Sequence, residues 1–291
     1  MQVNAAGEHG HARDFEFTER DFERVRSLIY DCAGISLSAA KRDMVYSRLA
    51  RRLRAVGMDS FERYLDRVES GDARECEAFT NALTTNLTAF FREPHHFPLL
   101  AEHLRQAEYG RPLTIWCSAA STGEEPYSIA MTVVETFGGF SPPVRILASD
   151  VDTQVLATAE AGEYTADRVE KMDPARLRRF FLRGKGPNAD RVRVRDELRS
   201  LITFRQVNLL HGAWPIRGPL DVIFCRNVMI YFDKPTQLRV LERFAPLLRP
   251  DGLLFAGHSE SFHNATHLFR LRGKTVYGLA NPGAAAPRRG Q

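Results

Sequence analysis

Two adjacent acidic residues, Glu124 and Glu125, open a helical segment directly after the small-residue run 118–123. Small side chains at such a turn let a ligand lie against the backbone, as in nucleotide-binding α/β proteins. A diphosphate prefers bare N–H groups at a helix start, where we expect the two carboxylates to repel it. The single glycine, Gly123, also differs from the three glycines of a dinucleotide fingerprint. The turn therefore predicts a ligand with hydroxyl groups or positive charge rather than phosphate.

Polar side chains also follow the later apolar segments that read as strands. Asp150 ends the second of these segments, and Asn208, Arg226 and Asn227 follow two more. The carboxyl ends of parallel strands meet at one edge of a sheet, so we expect these side chains to lie close together. An acid at the end of the second strand commonly accepts hydrogen bonds from ribose hydroxyls. Asp152 is the better helix cap of the two nearby acids, which leaves Asp150 for a ligand.

The elements that must position these residues alternate between strand and helix from about 111 to 280. Their apolar runs and turn signals predict an α/β domain with a Rossmann-like, mostly parallel sheet and an antiparallel last strand. The expected order is strand 113–117, helix 124–137, strand 144–149, a helix from 152, strands 201–207 and 221–225, helix 235–248, and strands 253–256 and 275–279.

One segment interrupts this alternation. Residues 191–195 alternate arginine and valine at period two, and Gly184 and Gly186 precede them. The pattern predicts a small antiparallel β-subdomain, inserted at about 183–200. Its exposed edge would suit strand addition by a peptide, and a surface hairpin without a partner fits the pattern equally well.

Residues 15–88 predict a small all-helical domain, preceded by a disordered tail at 1–14. Its second helix has a basic face with two open interpretations: a solvated surface, or a docking surface for an acidic helical or nucleic-acid partner. The basic residues that project away from the apolar stripe of this helix are Lys41, Arg48, Arg51 and Arg52. A linker at 89–110 and a second disordered tail at 281–291 complete the predicted organisation.

The segment that leads into the α/β domain alternates polar and apolar side chains. Asn86, Thr88 and Arg92 are interleaved with Leu87 and two phenylalanines. Either an anchored loop whose polar side faces a pocket or plain linker packing would produce this pattern.

Composition excludes several classes of protein. The chain has 291 residues, a formal net charge of +4 and four scattered cysteines without a C-x-x-C pair. No run approaches the roughly 18 apolar residues of a membrane span, and the polar N-terminus does not resemble a signal peptide. We predict no metal, because there is no H-E-x-x-H motif and because His95 and His96, adjacent on a helix, should point apart. The expectation is a cytoplasmic monomer without direct membrane insertion.

Several motifs together closely resemble the CheR family, the bacterial chemotaxis methyltransferases that esterify glutamate side chains of chemoreceptors. The resemblance spans about 15–279 and implies a class I S-adenosylmethionine-dependent methyltransferase fold. The motifs that show this resemblance are K-R-D-M-V-Y at 41–46, T-T-N-L-T-A-F-F-R-E at 84–93, S-T-G-E-E-P-Y-S at 121–128, A-S-D at 148–150, F-C-R-N-V-M-I-Y-F at 224–232 and L-L-F-A-G-H-S-E at 253–260.

The resemblance implies S-adenosyl-L-methionine as the cofactor and S-adenosyl-L-homocysteine as its product. Arg92 and Tyr231 would be the catalytic residues, nearest the transferred methyl group and the incoming glutamate. The basic helix would face the cytoplasmic domain of methyl-accepting chemotaxis receptors, and the β-subdomain, with Gly184 and Gly186, would grip a C-terminal receptor peptide. The residues implied to surround the cofactor are Asn86, Thr88, Arg92, Glu125, Asp150, Asn208, Leu209, Arg226 and Asn227.

The chemistry agrees with this assignment. A glutamate carboxylate, with a reference pKa of about 4.3, is already a nucleophile at neutral pH and needs no general base. The protein must align the carboxylate with the methyl group and remove water from it. Arg92 could hold the carboxylate by a charge-assisted hydrogen bond, and the Tyr231 hydroxyl could orient it.

Three alternatives compete with this interpretation. A nucleobase methyltransferase should carry a D/N/S-P-P-aromatic element after its fourth strand, where this chain reads R-N-V-M at 226–229, and we therefore expect no nucleic-acid partner. A module that binds S-adenosylmethionine and docks on receptors without turnover would not need Arg92, Asp150 and Tyr231 together. A redox Rossmann enzyme would require the missing glycine fingerprint.

Overall fold

The computed structural model describes residues 14–107 and 110–281, which fold as two compact units. The first unit contains residues up to Cys32 together with Leu37–Leu83, and the second contains Ala33–Ser36 and the chain from Thr84 onward. The two predicted disordered tails, apart from Asp14 and Asn281, lie outside the described residues. Within the described ranges, no helix combines the length and apolar character that a membrane crossing requires.

The first unit is built from four helices: α1 Glu19–Ala33, α2 Arg42–Val56, α3 Phe61–Glu69 and α4 Ala73–Leu83. Their ends follow local side-chain chemistry. The Thr18 hydroxyl accepts the Asp21 N–H at the start of α1, and the Ser60 hydroxyl accepts the Arg63 N–H at the start of α3. α2 ends at Gly57, which adopts the left-handed conformation with φ +69°. The apolar faces of the helices meet in a buried core that includes Phe22, Val45, Leu49, Phe61 and Phe79.

Only part of the basic face formed by α2 and the preceding Lys41 is available to a partner. Lys41 and Arg51 are exposed. Arg48 instead donates to the carbonyl of Leu83 at 3.0 Å, and Arg52 forms a two-point ion pair with the buried carboxylate of Glu75 at 2.7 and 2.8 Å. Two of the four predicted docking residues therefore hold α2 against α4.

The start of α4 forms one half of a capping box. Asp72 accepts the backbone N–H of Glu75 at 3.2 Å, as a capping residue should. The Glu75 side chain does not return this contact, because its carboxylate pairs with Arg52.

The second unit alternates strands and helices around a seven-stranded sheet. In chain order its elements are α5 His96–Gln106, β1 Leu113–Cys117, α6 Glu124–Phe137, β2 Val144–Asp150, α7 Thr153–Ala161, β3 Glu163–Thr165, α8 Pro174–Phe180, β4 Phe181–Arg183, β5 Arg191–Val194, α9 Asp196–Arg199, β6 Ile202–Gln206, β7 Leu220–Cys225, α10 Lys234–Phe244, β8 Leu248–Ala256, β9 Phe269–Gly273 and β10 Val276–Leu279.

The seven strands lie in the order β6-β2-β1-β7-β8-β10-β9. The first five are parallel, and β10 pairs antiparallel with both β8 and β9. Every residue of β7 is buried, which is typical of a parallel strand covered on both faces. The two faces bury separate apolar cores, one around Tyr127, Met131 and Phe224 and the other around Trp116 and Phe244.

The structure corrects several parts of the predicted organisation. The predicted linker 89–110 contains α5, which buries Leu100 and Leu104 in the core of the second unit. The small antiparallel sheet, in the order β3-β5-β4, begins at Glu163 and not near 183. Strand β9 was absent from the predicted order, and it makes the edge of the large sheet antiparallel over two strands rather than one.

The two glycines assigned to peptide docking have roles within the loop between β4 and β5. A Cβ atom on Gly184 would lie 1.9 Å from the carbonyl oxygen of Asn188, so the loop closes only around glycine at this position. Gly186 adopts a left-handed conformation with φ +58°. The turn itself therefore accounts for both glycines, and their part in docking stays a prediction.

Candidate functional site

The carboxyl ends of β1, β2 and β7 coincide at one edge of the large sheet. Cys117, the last residue of β1, pairs with Ala148 of β2 and with Phe224 of β7. The turn after β1 is tied to both neighbours, because Ser118 N–H donates to the Phe224 carbonyl and Ala120 N–H to the Ser149 carbonyl, each at 2.8 Å. The predicted gathering of strand ends is therefore present, with the small-residue turn at its centre.

Gly123 closes this turn because no other residue fits. It has φ +100°, and a Cβ atom there would lie 2.7 Å from the Tyr164 hydroxyl and 2.9 Å from Cβ of Ala159. The Tyr164 hydroxyl donates to the carbonyl of Thr122 at 2.7 Å. Tyr164 belongs to β3, so the small sheet contacts the turn directly.

The two acids at the start of α6 are both ion-paired. Glu124 has no exposed side-chain surface and pairs with Arg168, whose guanidinium also donates to the carbonyl of Thr88 at 3.1 Å. Glu125 pairs with Arg226 at 2.5 Å. Both carboxylates are therefore paired with an arginine, which weakens the repulsion of a phosphate that the sequence led us to expect from them.

Asp150 accepts two backbone hydrogen bonds at the end of β2. Its carboxylate receives the Ser121 N–H at 2.8 Å and the Asp152 N–H at 3.1 Å. Burial raises the pKa of Asp150 to about 6, although both N–H groups favour the charged form. The carboxylate is thus fixed in place at the sheet edge, with further lone pairs for hydroxyl donors.

Asp152 caps α7, as predicted, and also holds the loop that precedes Arg92. One of its oxygens accepts the N–H groups of Gln154 and Val155. The other accepts the Asn86 side-chain amide and the Thr84 hydroxyl, both at 2.8 Å. The Ser121 hydroxyl donates to the carbonyl of Asn86 at 3.1 Å, so this predicted cofactor residue lies against the turn after β1.

Arg226 is buried and contacts several of the predicted site residues. Its side chain has no exposed area, Nη1 donates to Glu125 at 2.5 Å, and Nη2 donates to the Arg92 carbonyl at 2.5 Å. The carboxylate of Glu93 lies 3.4 Å from the same Nη2. The guanidinium therefore holds Glu125 and the backbone of Arg92 in place.

Arg92 lies in a strained loop between two residues with positive φ, Phe91 at 52° and Glu93 at 54°. The Ser128 hydroxyl accepts the Phe91 N–H at 2.9 Å and holds this conformation. Nη1 of Arg92 donates to the carbonyl of Leu87 at 2.8 Å, which occupies one of its five N–H donors.

Glu93 also anchors the loops at the site, although the sequence did not predict it as a site residue. Its Oε1 accepts the backbone N–H of His258 at 3.2 Å and the Asn227 side-chain amide at 3.4 Å. Burial alone would raise the pKa of Glu93, but the contacts with His258, Arg226 and Asn227 outweigh it and lower the pKa to about 2. The carboxylate is therefore charged at neutral pH.

Glu260 holds the turn that follows β7. This buried carboxylate accepts the N–H groups of Gly257 at 2.5 Å, Met229 at 2.8 Å and Asn227 at 2.9 Å. Asn227 has φ +59°, so the turn needs such fixed acceptors to keep a left-handed residue in place. Burial raises the pKa of Glu260, and the three N–H groups oppose that rise.

We expect Glu260→Ala to lower the free energy of unfolding by about 3 kcal/mol or more, because each buried donor left unpaired costs about 1–3 kcal/mol. Urea denaturation measures the loss. Glu242→Ala, an exposed position on α10, is the matched control and should change stability by less than about 0.5 kcal/mol. A loss in Glu260→Ala no larger than the control's would show that the turn does not depend on this carboxylate.

The predicted site residues Asn208, Leu209 and Tyr231 differ in burial and in their contacts. Asn208 accepts the Leu210 N–H at 2.9 Å and is half-buried. Leu209 is buried in the core around Trp116, and its carbonyl accepts a hydrogen bond from Arg243. Tyr231 follows the turn held by Glu260, and its half-buried side chain packs against the same core. The cofactor and catalytic assignments of these residues remain predictions.

The reason given against a metal at His95 and His96 is wrong. Their rings lie 4.3 Å apart, and donor atoms of Glu93, His95 and His96 all fall within 4.8 Å of one another. His95 is the residue just before α5, and His96 is its first residue.

Three residues that anchor the site were not predicted from the sequence. Glu93 and Glu260 each end a motif that carries the family resemblance, at 84–93 and 253–260, and that position was the available signal. Arg168 lies in none of those motifs, and its partner is 44 residues away in the chain.

Comparison with known proteins identifies the family. The all-alpha domain of CheR methyltransferases matches residues 20–84, and their SAM binding domain matches residues 86–277. The chain is 58% identical over 269 residues to chemotaxis protein methyltransferase 2 of Pseudomonas aeruginosa, covering 92% of this chain and 96% of the relative. It is 53% identical over 266 residues to the chemotaxis protein methyltransferase of Escherichia coli, covering 90% and 92%. These matches confirm the predicted class I fold and S-adenosylmethionine as the cofactor: the chain belongs to the CheR methyltransferase family of chemotaxis.

Proposed function

We propose that this protein transfers a methyl group from S-adenosylmethionine to glutamate side chains of membrane chemoreceptors, forming glutamyl methyl esters for chemotactic adaptation. The observation that carries the proposal is the placement of Arg92. Its backbone is fixed by Arg226 and its guanidinium by the Leu87 carbonyl, beside the predicted cofactor residues Asn86 and Thr88. A fixed guanidinium with free N–H groups is a binding group for a carboxylate.

The residues at the sheet edge fit the cofactor. Asp150 is a buried carboxylate whose protein partners are backbone N–H groups and whose pKa is raised by burial. Hydroxyl donors of a ribose would stabilise its charged form in the way that water does in solution. Glu125, held by Arg226, is a second fixed acceptor near the same turn.

The cofactor, when bound, supplies an electrophilic methyl group. Arg92 would bind the acceptor carboxylate and fix one oxygen in line with that group, and the Tyr231 hydroxyl would orient the same carboxylate. The contact with arginine also lowers the nucleophilicity of the carboxylate, so we assign Arg92 to positioning of the substrate. The proposed reaction requires no proton acceptor from the protein, because a glutamate is already ionised at neutral pH.

The surface beside Arg92 suits a protein substrate. Leu87 is 76% exposed and Ile230 is 50% exposed, and they neighbour the predicted site residues Asn86, Thr88 and Tyr231 in the chain. Exposed large aliphatic side chains at a polar site favour a partner with its own apolar surface, such as an amphipathic receptor helix. Lys41 and Arg51, exposed at the basic face of the first unit, would meet acidic residues of that receptor.

A receptor tail peptide would add to the small sheet. Strands β3 and β4 are its two edges, with β5 between them. An extended peptide pairs with such an edge through backbone hydrogen bonds, and its side chains then determine the preference. We propose this second contact as a tether that does not take part in the chemistry.

Methyl-labelled S-adenosylmethionine and receptor-containing membranes test the proposed function. We expect label in the receptor band that mild base releases as volatile methanol, the behaviour of a carboxyl methyl ester. Label that survives base would place the methyl group on nitrogen or sulfur. Cofactor binding without any label would identify a docking module without turnover.

Cofactor affinity should depend on pH through Asp150. Hydroxyl groups donate to the ionised carboxylate, so protonation below pH about 6 should weaken binding, by up to about tenfold per pH unit. Calorimetry between pH 5 and 8 measures the effect, and Asp150→Asn should remove it. The stability of the free protein should depend on pH in the opposite direction. Because the pKa of Asp150 is raised in the folded state, its protonated form contributes stability that is fully present below the unfolded pKa of about 3.8. This contribution is lost as the pH rises through about 6. A cofactor affinity that does not change below pH 6 would contradict the role of Asp150.

A further inference from the structure

His96 presents a lone pair to the interior of the second unit. Its Nε2 lies 2.9 Å from the backbone carbonyl of Lys274 and 3.2 Å from the Thr275 hydroxyl. A carbonyl only accepts hydrogen bonds, so Nε2 carries the hydrogen and Nδ1 keeps its lone pair. Metal-binding histidines commonly show this arrangement, in which one ring nitrogen donates to a carbonyl and the other binds the ion.

A second lone pair faces the first. Oε2 of Glu93 lies 3.8 Å from Nδ1 of His96. Both atoms are buried and have no hydrogen-bond partner. Arg226 Nη2 lies 3.4 Å from this oxygen, but the contact is an ion pair without hydrogen-bond geometry. Two buried acceptors that face each other repel, and a donor or a cation between them would remove the repulsion.

The donor set and spacing fit a transition metal. His95 supplies a third ligand, because donor atoms of Glu93, His95 and His96 all lie within 4.8 Å of one another. Two ligands about 2.1 Å from a tetrahedral zinc ion lie roughly 3.4 Å apart, so the 3.8 Å pair needs to move by only a few tenths of an ångström. Imidazole and carboxylate ligands together suit Zn²⁺ and related divalent ions. His95 is half-buried, which gives the ion a route from solvent.

The local charge also favours a cation. Glu93 and Glu125 share one guanidinium, that of Arg226, which lies 2.5 Å from Glu125 and 3.4 Å from Glu93. With both acids ionised, the three side chains carry a net charge of about −1 in a buried environment, where charge without compensation is costly. The shorter contact goes to Glu125. Oε1 of Glu93 also lies 3.0 Å from Nδ1 of His258, whereas Oε2, the oxygen that faces His96, has no hydrogen-bond partner.

We propose that Glu93, His95 and His96 form a binding site for one divalent transition-metal ion of the zinc class. The ion would fix Glu93, whose other oxygen holds Asn227 and the His258 backbone, and would tie the start of α5 to the Arg226 cluster. The proposal does not depend on the identity of the methyl acceptor.

Titration of the full-length protein with Co²⁺ tests the site. His9 and His11, which lie outside the described residues, are first replaced by glutamine so that they cannot add a second site. Visible absorption of Co²⁺ reports coordination by the protein, and Zn²⁺ is then added as a competitor. His96→Gln and His95→Gln remove proposed ligands, and His267→Gln, at an exposed position, is the matched control.

We expect one Co²⁺ per chain, displaced by Zn²⁺, with affinity at least about tenfold weaker in His96→Gln and in His95→Gln and unchanged in His267→Gln. Circular dichroism verifies the fold of each variant, and the half-buried His95 carries the test alone if His96→Gln does not fold. Absence of saturable binding would overturn the proposal and assign the gap to a bridging water. Binding that survives both ligand substitutions would overturn it as well.

Discussion

Arg92→Ala is expected to lower the turnover number by about 100-fold or more and to change cofactor affinity by only a few fold. In the proposed reaction the guanidinium fixes the acceptor carboxylate, and misplacement of a reacting group by about 1 Å costs on the order of 100-fold in rate. The proposed cofactor contacts are made by Asp150 and Glu125, which have anchors of their own in Ser121 and Arg226. Radiolabel transfer to receptors gives the turnover, and calorimetry gives the affinity.

Two further variants make this experiment specific. Arg92→Lys keeps the charge but loses the planar fork, so it should recover only part of the turnover. Arg63→Ala, at an exposed position of α3, is the control for removal of an arginine and should change neither quantity. Equal losses of turnover and cofactor affinity in Arg92→Ala would contradict the positioning role and make Arg92 a cofactor ligand alone.

Asp150→Ala should weaken cofactor binding by about 1.5–3 kcal/mol, roughly 10- to 150-fold, as expected for hydrogen bonds to a charged group. The substitution also leaves the N–H groups of Ser121 and Asp152 without their acceptor, so thermal unfolding must be measured beside calorimetry. Asp190→Ala, an exposed acid after the Gly186 turn, is the control. Unchanged affinity with lower stability would reduce Asp150 to a structural acceptor.

Much of the local structure at this edge of the sheet could be predicted because its parts are close together in the sequence. The turn after β1 combines an apolar run, small residues and a helix start within fifteen residues, and each feature has its own physical signal. The carboxyl ends of parallel strands meet at one edge of the sheet, and this rule predicted that Asp150 and Arg226 would lie at the same edge.

The features that were missed depend on distant partners or weak local patterns. α5 begins at His96 and contains Pro98, and its two buried leucines give too weak an apolar pattern to distinguish a helix from a linker. β9, F-R-L-R-G, has a mostly exposed strand pattern that carries little apolar signal. The ion pair of Arg52 with Glu75 joins residues 23 positions apart, so the basic face of α2 was expected to be more open than it is.

The link between the small sheet and the turn after β1 limits how this fold can be recombined. Tyr164 and Arg168 contact Thr122 and Glu124, so replacement of the whole segment 163–194 in a chimera would strand a buried carboxylate without its cation. Removal of one partner of a buried ion pair costs about 3–5 kcal/mol, enough to unfold a marginal protein. A graft meant to change peptide preference should therefore keep residues 163–169 and the buried Phe181, Val192 and Val194, and exchange only the exposed positions of the hairpin 181–194.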